Sequence, residues 1–274
     1  MSVWDTYQGR MAVRGETRRE TVLKREKRNI LSKLPDNLSY QTVTVFDQEH
    51  GYNITDEEVA KAAVSKNIAV INSDNLNEKY IFSLPDEDIE HGSLVRWMDN
   101  YWLVTERDAN MTVYTRAKMI QCNHLLRWVS EDDKICEQWC IIEDGTKYLT
   151  GEYEDRYFVV TRGDSRIAMT LARNSETVRL NRKNRFIIDD EESTRPLAYL
   201  LTKPLKLGWS FNQQGVFKFV LQEVTTTDDD NLDLRIADYY LHFPKQTDAN
   251  PGGESGSPGD EGSEPDNPGK KVWL

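Results

Sequence analysis

Cysteine and histidine are the residues most able to do chemistry here, and they gather in one stretch. Cys122-Asn-His124 is followed by Cys136 and, four residues later, Cys140. Two such pairs could in principle make a tetrahedral zinc site. The spacings of one and three intervening residues, without glycine-rich turns, are unlike ordinary zinc knuckles. Residues 120–142 alternate as strands, a pattern that suits buried, unpaired thiols in a core. Buried core, zinc and a disulfide are the three readings of this cluster. Asp228-Asp-Asp230 with Asp233 resembles the start of a calcium loop. It lacks the central Gly and distal Glu of an EF-hand, and reads as a solvated turn. No Gly-x-Ser-x-Gly, phosphate loop or Gly-x-Gly-x-x-Gly occurs, and the four histidines (His50, His91, His124, His242) show no spacing that implies a dyad. The expectation is therefore a protein that is not an enzyme and needs no cofactor.

The elements that would carry these residues are mainly strands. Tyr40–Phe46 alternates and is β-branched. Ile68–Ile71, Lys79–Leu84, Leu94–Trp97, Tyr101–Val104, Met111–Tyr114, Met119–Cys122 and Leu125–Val129 follow at short spacing. Asp99-Asn100 reads as the turn between two of them. Thr55-Asp-Glu-Glu58 has the capping-box pattern before a short helix, Val59–Val64. Further strands are expected at Tyr157–Val160, Ile167–Leu171, Thr177–Leu180, Arg185–Ile188, Leu197–Leu201 and Val216–Val224. Lys79–Leu84 is echoed by Arg166–Leu171, each followed by a polar gap and two further strands. Two related β-modules, barrels or sandwiches, are the expected fold class, mainly β.

Charge divides the chain further. The 274 residues carry a net charge of −11. Residues 1–33 contribute +5, residues 34–243 contribute −13 and residues 244–274 contribute −3. Thr17–Lys33 is rich in Arg, Lys, Glu and Leu and reads as helix, with Val22, Ile30 and Leu34 near one face and Pro35 as its stop. Asn250–Gly269 holds six Gly and four Pro with no apolar residue, a composition that cannot offset its ordering entropy. The expected organisation is an N-terminal helical arm (1–34), a first β-module with a short inserted helix (35–150), a second β-module (151–243) and a disordered Pro/Gly-rich acidic tail (244–274). The tail ends in an apolar hook, Val272-Trp273-Leu274. Trp4, Tyr7, Arg18, Arg19 and Arg25 on the arm, with Trp273 in the hook, are the candidate partner-docking residues. No apolar run approaches the roughly 18 residues of a spanning helix. The N-terminus lacks signal-peptide order, and three cysteines fit a reducing compartment. Overall acidity opposes adhesion to polyanions.

An ordered series of motifs carries a resemblance. Ile81-Phe-Ser-Leu-Pro85, Gly92, Val95-Arg-Trp97, Trp102-Leu-Val104, Asp108, Tyr114, Ala117-Lys118, Cys122-Asn123 and Leu126-Arg-Trp128 come first. Arg185-Phe-Ile-Ile-Asp189 and Ile236-Ala-Asp-Tyr-Tyr240 follow. Over residues 1–243 this resembles the head-closure or head–tail connector proteins of tailed bacteriophages that infect Gram-positive bacteria. The resemblance implies a β-barrel virion protein of the neck, made in the host cytoplasm. Such a protein forms a homo-oligomeric ring between portal or adaptor and tail proteins, and closes the filled head. Packaged DNA would pass through without sequence-specific binding, along an acidic wall to which it does not stick. No membrane is involved. Other virion positions (capsid surface or tail), or a host-surface or carbohydrate-binding β-module, are the alternatives.

Overall fold

The structure is a computed structural model. It describes residues 3–4, 6–8, 17–84, 87–108, 113–144, 165–190, 192–207, 210–211 and 213–245. The tail beyond 245, with Trp273 and the expected disorder, and the strand expected at Tyr157–Val160 lie outside the described residues.

Helix α1 (Arg18–Lys33) begins at a capping box. Thr17 Oγ1 accepts from Glu20 N at 3.3 Å, and Glu20 Oε2 accepts from Thr17 N at 2.7 Å. The pattern at Thr55–Glu58 does not cap. Helix α2 (Glu57–Lys61) starts from Asp56 with no side-chain cap, while Thr55 Oγ1 turns to Glu137 Oε2 at 3.4 Å. No residue of α1 is buried, so the cap and surface pairs hold it. Thr17→Ala is expected to weaken its first turn by about 1 kcal/mol. Amide exchange at residues 18–21 should accelerate by roughly fivefold, read by hydrogen-exchange NMR.

Six strands then close a barrel. They are β1 (Tyr40–Phe46), β2 (Val64–Asn72), β3 (Glu78–Ser83), β4 (Leu94–Trp97), β5 (Asn100–Asp108) and β6 (Thr115–Gln121). Their order is β1-β2-β3-β6-β5-β4, and β4 returns to β1 through pairs such as Val45 with Val95. Tyr114 precedes β6 in a bend rather than ending a strand. A second sheet holds β7 (His124–Val129), β8 (Ile135–Asp144), β9 (Arg166–Ala172), β10 (Arg185–Ile187), β11 (Ala198–Leu205) and β13 (Gln214–Val224), with the short β12 (Ser210–Phe211) beside β13. Its order is β10-β11-β13-β9-β8-β7, and β7 comes into contact with β10.

Setting β7, β8, β9, β10, β11 and β13 against β1 to β6 gives the same strand order twice. The echo between β3 and β9 therefore marks a repeated topology. The change of sheet falls at Cys122-Asn123, so β7 and β8 lie with the second module and not, as expected, with the first. The strand signal runs unbroken across this point, which hides the boundary in the sequence.

Three more expectations change. The β4–β5 turn is Met98-Asp99, with φ of 48° and 59°; Asn100 already pairs with Trp97. Positive φ at both central residues is the type I′ geometry that matches strand twist. Residues 177–180 form turns rather than a strand: Asn174 Oδ1 accepts from Thr177 N at 2.8 Å, and Thr177 Oγ1 donates to Ala172 O at 2.9 Å. Those side chains satisfy the backbone locally, in competition with a ladder. The third is Asp230, which is buried (6% exposed) and not solvated. It accepts from both guanidinium nitrogens of Arg185 at 2.9 Å and from Thr227 N and Asp238 N.

Apolar residues on alternate strand faces build separate cores. Trp102 and Val104 point into the barrel with Val43, Ile68, Val95 and Met119. Their neighbours Tyr101 and Leu103 pack outward with Phe46, Leu94, Ile141, Ala172 and Val216, forming the joint between the modules. The run Tyr101-Trp-Leu-Val104 is thus apolar because both of its faces are covered. Leu126, Met169, Leu171, Phe186, Leu201 and Phe219 fill the second module. Polar stitches seal the joint. Gln48 Nε2 donates to Gln213 O at 2.8 Å, and Asn53 exchanges two hydrogen bonds with the Glu137 backbone.

Candidate functional site

The cysteine cluster resolves into packing. Cys136 and Cys140 belong to the core of the second module and Cys122 to the joint; all three are buried, free thiols. Burial pushes the Cys136 thiol up to about 11 and raises Cys122 and Cys140 well above the ordinary range, so none is poised as a thiolate. Among the described residues, no group of three or more His, Cys, Asp or Glu side chains is placed to hold a metal ion. His50 contacts Asp47 at 2.8 Å within one loop, and His242, in the helical turn Tyr239–His242, contacts Asp133 of the β7–β8 turn at 2.6 Å. Burial holds His91 below its usual range, against a 2.7 Å contact with Thr105 O.

The exposed features converge elsewhere. Antiparallel pairing brings the start of β1, the β2–β3 turn, the β4–β5 turn and the end of β6 to one end of the barrel. Three apolar side chains stand out from its loops: Leu38 is 99% exposed, Leu76 89% and Met98 65%. Each neighbours an aspartate, namely Asp36, Asp74 and Asp99, the last of which pairs with Arg96 at 3.3 Å. The arm joins the body at this end, because Pro35–Ser39 links α1 to β1.

Of the candidate docking residues, Trp4 and Tyr7 come together, edge to face at 5.7 Å, and both are exposed. Arg18, Arg19 and Arg25 are exposed on α1, and Arg25 meets Glu26 at 3.4 Å. Side chains on α1 number seven Lys/Arg against two Glu. A charged helix with no buried residue contributes little to the stability of its own body, so its surface remains available to a partner. The loop tips Leu38, Leu76 and Met98 are exposed apolar residues that sequence reasoning did not single out. Their only signal was an apolar residue beside Asp or Asn in a turn.

The opposite end of the barrel is closed rather than open. Ile89 is 1% exposed and enters the barrel core from the segment between β3 and β4. Arg107 holds Asp88 in an ion pair, and Glu87 accepts from Asn67 N. This arrangement seats a plug of protein. On the outer wall, Lys118 pairs with Glu78 at 2.9 Å, and Arg116 lies over the Tyr80 ring at 4.5 Å.

Residues 27–121 match the family model of the YomX N-terminal domain. That segment is about a third of the chain and corresponds to the last two turns of α1 and the barrel through the final residue of β6. The family is phage-associated, and the match points to a phage protein. No curated protein and no solved structure matches the chain.

Proposed function

We propose that the chain is a structural protein of the phage neck, which assembles as a homo-oligomeric ring between portal and tail, and that it works by packing and docking rather than by catalysis. The phage-family match supports the broader class. One structural observation carries the narrower reading: a basic helix, α1, leaves all its residues unburied beside a body whose charge is −13 between residues 34 and 243. Opposite charge on an arm and a body favours fast, oriented association between copies. The two modules share one apolar joint, so the body can transmit load as a block. Acidity of that body suits a passage from which DNA must slide freely.

Electron microscopy of the purified chain, alone and with portal, tests this reading. A ring of fixed symmetry that binds portal is the expected result. A monomer that ignores portal and binds cell-wall glycan would overturn it. Removing residues 1–33 is expected to abolish the ring while far-UV circular dichroism keeps its β signature. Rings that persist without those residues would refute the arm's role.

A further inference from the structure

Charge is not spread evenly around helix α1. At about 100° per residue, Arg28, Thr21, Ser32, Arg25, Arg18 and Asn29 fall in that order within an arc of about 100°. No Asp or Glu and no apolar residue lies in that arc. Glu20 and Glu26 fall outside it, one beyond each edge. Glu20 accepts from Thr17 N in the capping box. Glu26 reaches Arg25 at 3.4 Å between exposed side chains, a pairing worth little in water. Leu23 and Ile30, with Leu34 at the C-cap, occupy another side of the helix and are half-buried, whereas every residue of the arginine arc is exposed.

We infer that the arginine face of α1 holds the phosphate backbone of duplex DNA without reading its sequence. This goes beyond the neck reading and does not require a ring. Arg18 and Arg25 stand about 10.5 Å apart along the helix axis, and Arg28 lies about 4.5 Å further on. Guanidinium groups in such a row can each take a phosphate, with two parallel hydrogen bonds. Duplex DNA presents one negative charge per about 1.7 Å of its axis, so the row meets phosphates whatever the sequence. Contacts of this kind position a protein on the duplex and carry no base information. A face of cations and small polar side chains, with no apolar anchor, suits a partner that offers charge rather than a protein surface with an apolar centre. A helix that lies in a membrane needs its apolar side free; in α1 that side is the one already partly covered. The acidic body does not cancel the attraction. Its −13 belongs to residues 34–243, while α1 alone, with seven Lys/Arg and two Glu, carries +5. At 0.15 M salt the field of exposed charges fades over about 8 Å.

Fluorescence anisotropy of the full chain with labelled DNA duplexes of two unrelated sequences tests the inference. The two affinities should agree within about threefold, and each should fall about fortyfold between about 50 and 200 mM salt, as three phosphate contacts require. Arg18→Gln, Arg25→Gln and Arg28→Gln together should weaken binding at the lower salt at least about tenfold and leave a salt effect under about fivefold. The same three positions changed to Lys should keep the salt effect of the parent. Arg19→Gln with Lys27→Gln, outside the arc, should bind within about threefold of the parent. All these side chains are exposed, and circular dichroism checks that each variant folds. No binding of either duplex at the lower salt, or a triple Gln variant that binds like the parent, would overturn the inference. An equal loss in the Arg19/Lys27 variant would also overturn it, because net charge and not one face would then hold the DNA. Binding to phosphatidylserine vesicles but not to duplex would make an anionic membrane the partner instead. Rings that form with portal while the duplex stays unbound would overturn this inference and leave the neck reading standing.

Discussion

Replacing Gly92 with alanine is expected to destabilise the body by about 3 kcal/mol or more. Two independent causes add. Gly92 has φ of +90°, a conformation that L side chains rarely adopt. An added Cβ would overlap the carbonyl oxygen of Gly215 and lie 3.0 Å from its carbonyl carbon. That carbonyl cannot easily move, because it accepts from Arg173 N at 3.0 Å while Gly215 N donates to Gln48 Oε1 at 3.2 Å. Gly92 N is itself held by Val104 O at 2.9 Å. The collision is therefore backbone against backbone, at the point where the barrel meets the first residues of β13. Urea unfolding should show a lower midpoint. The near-ultraviolet dichroism of the Tyr101–Trp139 stack, 4.8 Å apart within the joint, should weaken as well. A midpoint shift worth less than about 0.5 kcal/mol would show that the joint tolerates a side chain and contradict this account.

Legibility in the sequence followed the range of the interaction. Strands whose two faces meet different environments announced themselves: Tyr101–Val104 is apolar throughout and is buried on both sides, in the barrel and in the joint. The echo of Lys79–Leu84 in Arg166–Leu171 pointed to a repeated strand order, because each strand is the third of its module. Local chemistry misled where tertiary contacts decided. Thr55 has the right spacing to cap α2 but is drawn to Glu137, whereas Thr17, beside an unpacked helix, does cap. Met98 adopts positive φ because a two-residue turn demands it, although nothing in methionine favours that geometry. The arm was legible because its charge is continuous in sequence. Conversely, the cysteines that looked most chemical by spacing are divided between two cores by the strand boundary at residue 122.

Asp230 gives the second large effect, and its partner explains two of the separated sequence motifs. Arg185 opens one motif and Asp238 lies in the other; they meet at 2.6 Å, and Asp230 binds both, through the Arg185 guanidinium and the Asp238 N–H. The Asp230 side chain is fully enclosed and that of Arg185 is 14% exposed. Arg185 makes further hydrogen bonds to Thr227 Oγ1 and Thr225 O, both at 3.1 Å. The segment after β13 is thereby fastened to β10, with Ile236 and Ala237 buried beneath it. Removing Arg185 leaves the enclosed Asp230 carboxylate without its counterion, so Arg185→Met is expected to cost about 3–5 kcal/mol, whereas Asp230→Ala leaves Arg185 paired with Asp238 and is expected to cost less. The double variant should cost well under the sum, since the second change removes the stranded charge. The pH dependence distinguishes this from simple loss of packing. Burial would raise the Asp230 carboxyl, but two backbone N–H groups and the guanidinium outweigh it and hold it below the ordinary carboxylate range. A depressed value in the folded state means that the contribution is present above the unfolded value, about 3.9, and is lost as pH falls through the folded one. Acidification of the parent from pH 6 should therefore remove stability that Asp230→Asn already lacks, and the gap between the two urea midpoints should narrow toward low pH. A gap that stays constant down to pH 2 would mean that the carboxylate charge does not fasten this segment.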